Sequence, residues 1–306
     1  MDNKTFTEDE LYSKTNRLVQ AIVLCFVCLS GIIGNCLVLL AIILKRKLRN
    51  TTNVFVANLA ISDLVTCLNL PVTIFALTSE NDQPLNECVC AMSAVITIVC
   101  AGSSVYTLAC IALVRFVYVT NFKYKSLLTM KYSAIISLIA WIISTCFTVS
   151  PLLIPDLGTF GYNGKYHSCT WISPRYLYNI ILGSAFYPIT FLCIIFSYSS
   201  ILGIVCKRTT NAVQPANAGQ ATRNITKRNL SVTKNLFCVF CIFVFCGLPY
   251  SLAIIIPGTE RIISYTAVLF MFNCFLNPLN YALKHPEFKK AMPEVIKCKR
   301  VISSNR

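Results

Sequence analysis

The stretch LVQAIVLCFVCLSGIIGNCLVLLAIILKRKLRN, residues 18–50, decides the fold of this chain. Its first part, residues 18–44, carries no charge and exceeds the ~20 residues that an α-helix needs to cross a bilayer. Four basic residues follow at once, namely Lys45, Arg46, Lys47 and Arg49. An apolar run that ends in a basic cluster is typical of a membrane-spanning helix whose basic end faces the cytoplasm.

The composition of the whole chain agrees with this first stretch. Of the 306 residues, 56% are hydrophobic and 13% are charged, and the mean hydropathy is +0.65. Ordinary soluble domains contain about 45–50% apolar and about 25% charged residues. These values exclude soluble, fibrous and disordered classes of protein and favour a membrane protein with several spans.

Seven stretches are long and apolar enough to cross a bilayer. They lie at 18–44, 52–77, 88–114, 132–155, 176–206, 235–257 and 262–283. The predicted fold class is therefore all-α, a seven-transmembrane helix bundle over 18–283, with an extracellular N-terminus at 1–17. The polar start of the chain lacks the basic region of a cleaved signal peptide, so the first span is expected to act as the insertion signal.

Basic residues are distributed unevenly between the two ends of these spans. With the N-terminus outside, 21 of the 27 Lys and Arg residues fall in the inner loops and the C-terminal tail. The positive-inside rule therefore predicts an extracellular N-terminus and a cytoplasmic C-terminus. A basic inner face suits the anionic cytoplasmic leaflet, so the net charge of +15 indicates a lipid bilayer and no nucleic acid as a partner.

Few modifiable residues lie on the predicted outer side. Of the 17 cysteines, Cys88, Cys90 and Cys169 fall in oxidising territory, which allows one disulfide bond and leaves its pairing open. Asn3 belongs to the Asn-X-Ser/Thr sequence that lies outside and is the expected glycosylation site.

Asp63 is the only acidic residue deep inside a predicted span. A charge at that depth costs roughly 2.5–3.5 kcal/mol on insertion scales, so it needs a partner or a purpose. Helix counting places Asn35 within hydrogen-bonding reach of it. Ser104, Asn273 and Asn277 can converge there from the third and seventh spans. Two interpretations stay open: a protonated Asp63 that joins helices, or an ionised Asp63 that binds a sodium ion through oxygen ligands.

Motifs in all seven spans match one receptor family. They are Gly34, Asn35 and Val38; Leu59 to Leu64; Cys90 and Arg115; Trp141 and Pro151; Pro188; Phe243, Cys246 and Pro249; Asn277, Pro278, Leu279, Asn280 and Tyr281; and Phe288 beyond the last span. With these motifs the chain resembles the rhodopsin-family (class A) G protein-coupled receptors over essentially its whole length.

The resemblance implies a plasma-membrane receptor and not an enzyme. It implies that an extracellular ligand binds between the outer helix halves and that helix 6 then moves to admit a heterotrimeric G protein. The implied ligand contacts are Thr97, Ala101, Ser184, Tyr250, Ser251 and Met271, for each of which ordinary helix packing is the alternative. The implied coupling residues are Arg115, Asn277, Pro278, Tyr281, Pro249 and Phe243. The family also implies a Cys90–Cys169 disulfide, a short amphipathic helix within 284–306, and no cofactor beyond the sodium ion.

Departures from the family pattern narrow these expectations. Thr97 stands where amine receptors carry Asp and Met271 where opsins carry the retinal lysine, so amine and retinal ligands are disfavoured. Gly247 replaces a tryptophan of helix 6. Val114 replaces the acid beside the helix-3 arginine, which predicts raised ligand-independent signalling, whereas apolar packing around Phe116 that keeps the arginine inactive is the competing interpretation.

Two segments, 49–56 and 166–171, are similar to those of melatonin-type receptors. That sub-family would place hydrogen-bonding residues where this chain has Pro151, Leu152, Ser173 and Ser184. Melatonin itself is therefore not implied as the ligand.

Two other classes of membrane protein compete with the receptor. A secondary transporter would show unwound half-helices, paired charges at membrane depth and repeat symmetry. A membrane enzyme would need clustered His, Asp or Glu side chains at that depth. The two histidines, His167 and His285, instead fall in a predicted outer loop and the inner tail.

Overall fold

The computed structural model describes residues 8–80, 84–120, 129–154, 156–173, 188–211, 220–256 and 258–297. Within these ranges it contains nine α-helices, one two-stranded sheet and two short 3-10 turns. The helices are α1 (Glu8–Leu44), α2 (Thr51–Thr78), α3 (Glu87–Thr120), α4 (Met130–Val149), α5 (Pro188–Asn211), α6 (Gln220–Ile255), α7 (Glu260–Met271), α8 (Asn273–Lys284) and α9 (Phe288–Ile296). The strands are β1 (Thr159–Asn163) and β2 (Ser168–Ile172).

The helices reproduce the predicted seven-span bundle. Six stretches are long and apolar enough to cross a membrane, and the last of them, Arg261–Lys284, is formed by α7 and α8 together. The described apolar part of α5 is shorter, Thr190–Ile201. Residues 176–187 of the predicted fifth span lie outside the described residues. The amphipathic helix expected after the last span is α9, whose Phe288, Ala291 and Met292 are buried.

Helix ends differ from the predicted span ends because hydropathy measures membrane depth and not helicity. Helix α3 continues beyond residue 114 to Thr120, and α6 begins at Gln220 inside the segment expected to be a polar loop. Residues 220–234 contain one Ala, one Gln, one Leu, two Arg and two Lys, which favour helix, and neither Gly nor Pro, which would break it. Both helices therefore extend beyond their predicted apolar spans, at the end of the bundle that the positive-inside rule assigns to the cytoplasm.

Strands β1 and β2 form a hairpin, which we call the outer hairpin because it lies in the loop expected to be extracellular. The all-α prediction lacked this element. The strands are antiparallel, with Phe160 opposite Trp171, and the two rings pack 4.8 Å apart. Together with Ala94 of α3 these side chains form a small buried cluster. The Cys90–Cys169 disulfide ties β2 to the top of α3, as expected, and Cys88 is a free thiol.

Prolines in two spans free carbonyl oxygens that side chains of α1 use. Because Pro278 has no N–H, the Cys274 carbonyl loses its helical donor. It accepts instead from Asn35 Nδ2 at 2.7 Å. In the same way Pro71 frees the Cys67 carbonyl, which accepts from Cys28 Sγ at 3.2 Å.

The position of Asn35 corrects the prediction that it bonds Asp63. Its Nδ2 donates to the carbonyls of Gly31 and Cys274, and in the described part of the chain no hydrogen bond joins it to Asp63. Helix counting gave the depth correctly but not the rotation of α1 about its axis. Close packing of α1 on α8 fixes that rotation, since a Cβ added to Gly34 would lie 2.7 Å from Pro278 Cγ.

Candidate functional site

Asp63 lies at the centre of the bundle and is only 5% exposed. Its Oδ2 accepts a hydrogen bond from Asn277 Nδ2 at 2.9 Å, which joins α2 to α8. The adjacent Asn273 is also buried, and its Nδ2 donates to the Phe270 carbonyl at 3.0 Å, beside the break between α7 and α8. Two of the predicted cation ligands thus surround the break and the proline of the seventh span.

The oxygen atoms of this group fit a hard cation. The Oδ1 atoms of Asn273 and Asn277 are buried and have no hydrogen-bond partner among the described residues. Ser104 of α3 is buried as well, at 6% exposure, although no hydrogen bond joins it to Asp63 within the described ranges. Carboxylate and amide oxygens are the ligands that hard cations prefer.

A second polar group continues towards the inner face. Asn280 Nδ2 of α8 donates to the Asn235 carbonyl of α6 at a long 3.4 Å. Both side-chain atoms of Asn235, Asn280 Oδ1 and the Tyr281 hydroxyl are buried without hydrogen-bond partners in the described structure. Buried polar groups are normally satisfied, so this region is polar enough to accommodate ordered water between the helices. The role of Asn235 and Asn280 was not predicted from the sequence.

Arg115 closes the inner end of this polar path. Its Nε is buried without a hydrogen-bond partner among the described residues. Tyr198, Tyr118 and Glu287 lie within electrostatic reach of the guanidinium. Glu287, at the N-terminal cap of α9, therefore brings an acidic group near Arg115 although α3 itself carries Val114.

A buried hydrogen-bond network fixes α2, α3 and α4 against one another. Trp141 Nε1 donates to Asn58 Oδ1 at 2.9 Å, and Asn58 Nδ2 donates to Thr107 Oγ1 at 2.7 Å. Ser144 of α4 donates to the Val99 carbonyl of α3 at 2.8 Å. All these groups have partners, so this side of the bundle forms a fixed frame beside the unsatisfied polar path.

The implied ligand contacts fall into separate groups. Thr97 Oγ1 accepts from Asn69 Nδ2 and donates to the Ser93 carbonyl, both at 3.0 Å. Ser251 donates to the Gly247 carbonyl at 3.0 Å, within α6. Met271 packs against an apolar cluster of α1, α2 and α8.

Ala101 and Ser184 are two further candidates. Ala101 is half-buried on α3, and Ser184 lies outside the described residues. An apolar cleft of about 400 Å³ does occur on the outer side, lined by Cys88, Ala91, Met92, Val95, Ile96, Leu152, Thr159 and Phe160. None of the implied ligand contacts within the described ranges lines it.

Phe270 is the aromatic residue of the outer half that sequence reasoning missed. Its ring stacks on Tyr250 of α6 at 5.8 Å and meets Phe243 edge-on at 6.2 Å. A Cβ added to Gly247 would lie 3.6 Å from this ring. A side chain of α7 therefore fills the space beside Gly247, the position where the resemblance led us to expect a tryptophan of helix 6. Pro249, two residues further along α6, lies within the helix.

Comparisons with known proteins agree with this architecture. The family described as 7 transmembrane receptor (rhodopsin family) matches residues 34–281. Melatonin receptor type 1A of Mus musculus is 27% identical over 290 residues, which cover 90% of this chain and 79% of that receptor. G-protein coupled receptor 183 of Homo sapiens is 24% identical over 314 residues, covering 94% and 84%. The crystal structure of squid rhodopsin superposes with a TM-score of 0.78 at 19% identity, covering 93% of this chain and 87% of that one.

Proposed function

Because the chain belongs to the rhodopsin family of seven-transmembrane receptors, we propose that it is a plasma-membrane G protein-coupled receptor. An extracellular ligand binds between the outer halves of the helices, and movement of α6 opens an inner cleft to a heterotrimeric G protein. The N-terminus is extracellular and carries a glycan at Asn3, and the C-terminus is cytoplasmic. The alternative, a secondary transporter, is an outcome of the test below.

The observation that carries the proposal is the row of buried polar side chains between α6 and α8 that ends near Arg115. Asn280 Nδ2 meets the Asn235 carbonyl at a long 3.4 Å, so this contact opposes a movement of α6 away from α8 only weakly. The frame of α2, α3 and α4 is instead joined by hydrogen bonds of 2.7, 2.8 and 2.9 Å. A weakly bonded α6 beside a firmly bonded frame supports a movement of α6 between two arrangements of the bundle.

Arg115 is the proposed contact with the G protein. It is a cation at the inner end of α3, and Tyr198 and Glu287 lie around it. A guanidinium donates up to five hydrogen bonds, and here at least its Nε has no described partner. Outward movement of α6 exposes these donors to the carbonyl groups of an inserted helix C-terminus, which has unpaired acceptors.

The ligand that we propose is neither an amine nor retinal. The implied contacts Thr97, Tyr250, Ser251 and Met271 carry no charge, and the described residues of this group offer hydroxyl groups, a thioether and aromatic faces. An ammonium ligand would need a carboxylate to offset its desolvation.

A sodium ion would be held by Asp63, Asn273, Asn277 and Ser104, and would neutralise the carboxylate and satisfy the free amide oxygens. An ion that binds one conformation preferentially stabilises that conformation by mass action. The proposal predicts that replacing sodium by potassium at constant ionic strength raises ligand-independent G-protein activation. No response in wild type, or an equal response in Asp63→Asn, would exclude this role.

A ligand screen in transfected cells tests the function. Calcium and cyclic nucleotide are recorded together, and uptake of each active compound is measured in the same cells. A receptor gives signals that Arg115→Leu abolishes, whereas Arg46→Leu, which removes an exposed inner charge, retains them. Uptake that occurs without any G-protein signal would identify a transporter instead.

A further inference from the structure

The outer hairpin is held on two sides by different chemistry. On the α3 side, the Cys90–Cys169 disulfide and the ring pair of Phe160 and Trp171 fix it through a covalent bond and apolar packing. On the α1 and α2 side, the contact is polar and passes through His167, in the turn between β1 and β2.

Arg17 joins three elements at this polar contact. Its Nη1 lies 3.0 Å from His167 Nδ1 and 3.3 Å from Nε2, and it donates to the Ser79 carbonyl at the end of α2 at 3.2 Å. The hydroxyl of Tyr162 in β1 lies 3.0 Å from His167 Nδ1. The hairpin, α1 and α2 therefore meet around one imidazole and one guanidinium.

The chemistry of this contact requires a neutral histidine. A guanidinium has only donors, so the imidazole nitrogen that faces it must be an unprotonated acceptor. Protonation puts N–H groups on both ring nitrogens and removes that acceptor. It also places two positive charges about 3 Å apart, which repel each other strongly even when partly screened.

The turn holds the ring in this position. His167 has φ +47°, in the left-handed region, and the Tyr166 N–H donates to the Asn163 carbonyl at 3.2 Å. The Lys165 N–H donates to Asn163 Oδ1 at 3.0 Å. These bonds fix the backbone that presents the imidazole to Arg17.

We propose that His167 is a proton-binding site, and that its protonation releases the outer hairpin from α1 and α2. The charged groups around it are Arg17 and Lys14 on α1, Glu80 after α2, and Lys165 on the turn, with Tyr162 and Tyr166 as the neighbouring phenols. Glu80 forms an ion pair with Lys14. Among the described side chains, Arg17 is the charged group that contacts the ring, so a proton on His167 meets repulsion there. Because the disulfide at Cys169 persists, the release is confined to the turn and its α1 side.

The pH range follows from the direction of the pKa shift. Burial lowers the pKa of His167 below its ordinary value, and the charge of Arg17 lowers it further. The unfolded chain, with an ordinary pKa of about 6.5, therefore takes up a proton before the folded protein does. The stabilisation by this contact is complete above about pH 6.5 and is lost as the pH falls through the folded pKa.

The experiment uses the full chain in lipid nanodiscs and does not require its ligand or a G protein. The chain has two histidines, so ¹³C-labelled histidine gives two ring signals, and the one that disappears in His167→Asn belongs to His167. Asparagine tolerates the left-handed backbone and does not titrate. Amide hydrogen exchange of the turn residues 164–167, corrected for intrinsic rates, reports release of the turn over the same pH series, and the paired strand amides of 159–163 and 168–172 serve as the internal control.

We expect the His167 signal to titrate below pH 6.5 and the protection of the Lys165 and Tyr166 amides in the turn to be lost with the same midpoint, while the strand amides stay protected. Arg17→Gln should raise that midpoint, and His167→Asn should make protection independent of pH. Tyr162→Phe keeps Arg17 and His167 and should therefore not prevent Arg17→Gln from raising the midpoint. A midpoint insensitive to Arg17→Gln, or protection that stays constant while His167 titrates, would overturn the proposal. Both results are independent of whether the chain activates a G protein.

Discussion

The pair of substitutions Gly247→Trp and Phe270→Ala, which together move an aromatic ring from α7 to α6, tests the packing around Gly247 most sharply. The Cβ of an alanine at Gly247 would lie 3.6 Å from the Phe270 ring and 3.7 Å from Phe243 Cε1, which are ordinary contacts. The indole of Gly247→Trp extends well beyond that Cβ and must overlap the Phe270 ring. Overpacking of this kind typically costs about 1–3 kcal/mol.

The reciprocal substitution should relieve the clash. Phe270→Ala alone removes the ring contacts with Phe243 and Tyr250, and truncation of a buried Phe costs about 3–5 kcal/mol, less for this half-buried ring. In the double variant the indole occupies the space that the phenyl ring leaves. We therefore expect the double variant to be more stable than the sum of the single effects predicts, by about 1–3 kcal/mol.

Thermal unfolding in detergent measures these differences directly. A thiol-reactive dye reports unfolding through buried free cysteines such as Cys246 and Cys274, so no label has to be introduced. Gly203→Trp is the matched control, because Gly203 is exposed and a Cβ there meets nothing within 4 Å. If Gly247→Trp were tolerated as well as this control, or if Phe270→Ala did not relieve it, the assigned packing would be wrong.

Two further substitutions, each with a matched control, test contacts of the fold. Asn35→Leu should destabilise the protein by about 1–3 kcal/mol, because it leaves the Cys274 carbonyl, which already lacks a helical donor, unpaired. The control is Ser30→Ala, which removes a hydroxyl that in the described structure bonds only carbonyl groups of its own helix, such as that of Phe26, and should leave the melting curve unchanged. Cys90→Ser should reduce surface expression because it opens the disulfide, whereas Cys88→Ser should not, and equal losses in a surface-labelling assay would contradict the pairing.

Hydropathy predicted the bundle because the bilayer imposes the same length on every spanning helix. It could not predict which way each helix faces, since these helices are apolar on their lipid-facing sides as well as in the core. Asn35 and Asp63 illustrate the limit: their depth was correct, but close packing at Gly34 turns Asn35 towards the carbonyl freed by Pro278. The same uncertainty hid Phe270, because nothing in the sequence shows that a ring of α7 lies on Gly247.

The outer hairpin was missed for a different reason. Its strands are short, at five residues each, and their pairing depends on the Cys90–Cys169 bond and on the cluster with Ala94. These are contacts between distant parts of the chain, which no local pattern shows. The Arg17–His167 contact follows from them, because the disulfide and the turn bring His167 beside α1.

On the inner side, an acidic residue of another helix lies near Arg115, although α3 itself carries Val114. Val114 led us to expect an unrestrained Arg115 and raised basal signalling. The structure places Glu287 of the α9 cap within reach of the guanidinium, and Val114 itself is buried at 5% exposure. Val114→Asp would therefore place a new carboxylate in a buried site close to Arg115, and it should lower basal activity only if it pairs there with the guanidinium.

Nucleotide exchange on purified heterotrimeric G proteins, catalysed by the chain in lipid nanodiscs, tests the receptor assignment most directly. We predict that the wild-type protein accelerates exchange on at least one G-protein class above empty nanodiscs without added ligand. Arg115→Leu should return the rate to that of empty nanodiscs, whereas Arg46→Leu should leave it unchanged. A rate for the folded wild-type protein equal to empty nanodiscs with every class, or one that Arg115→Leu leaves intact, would contradict the account.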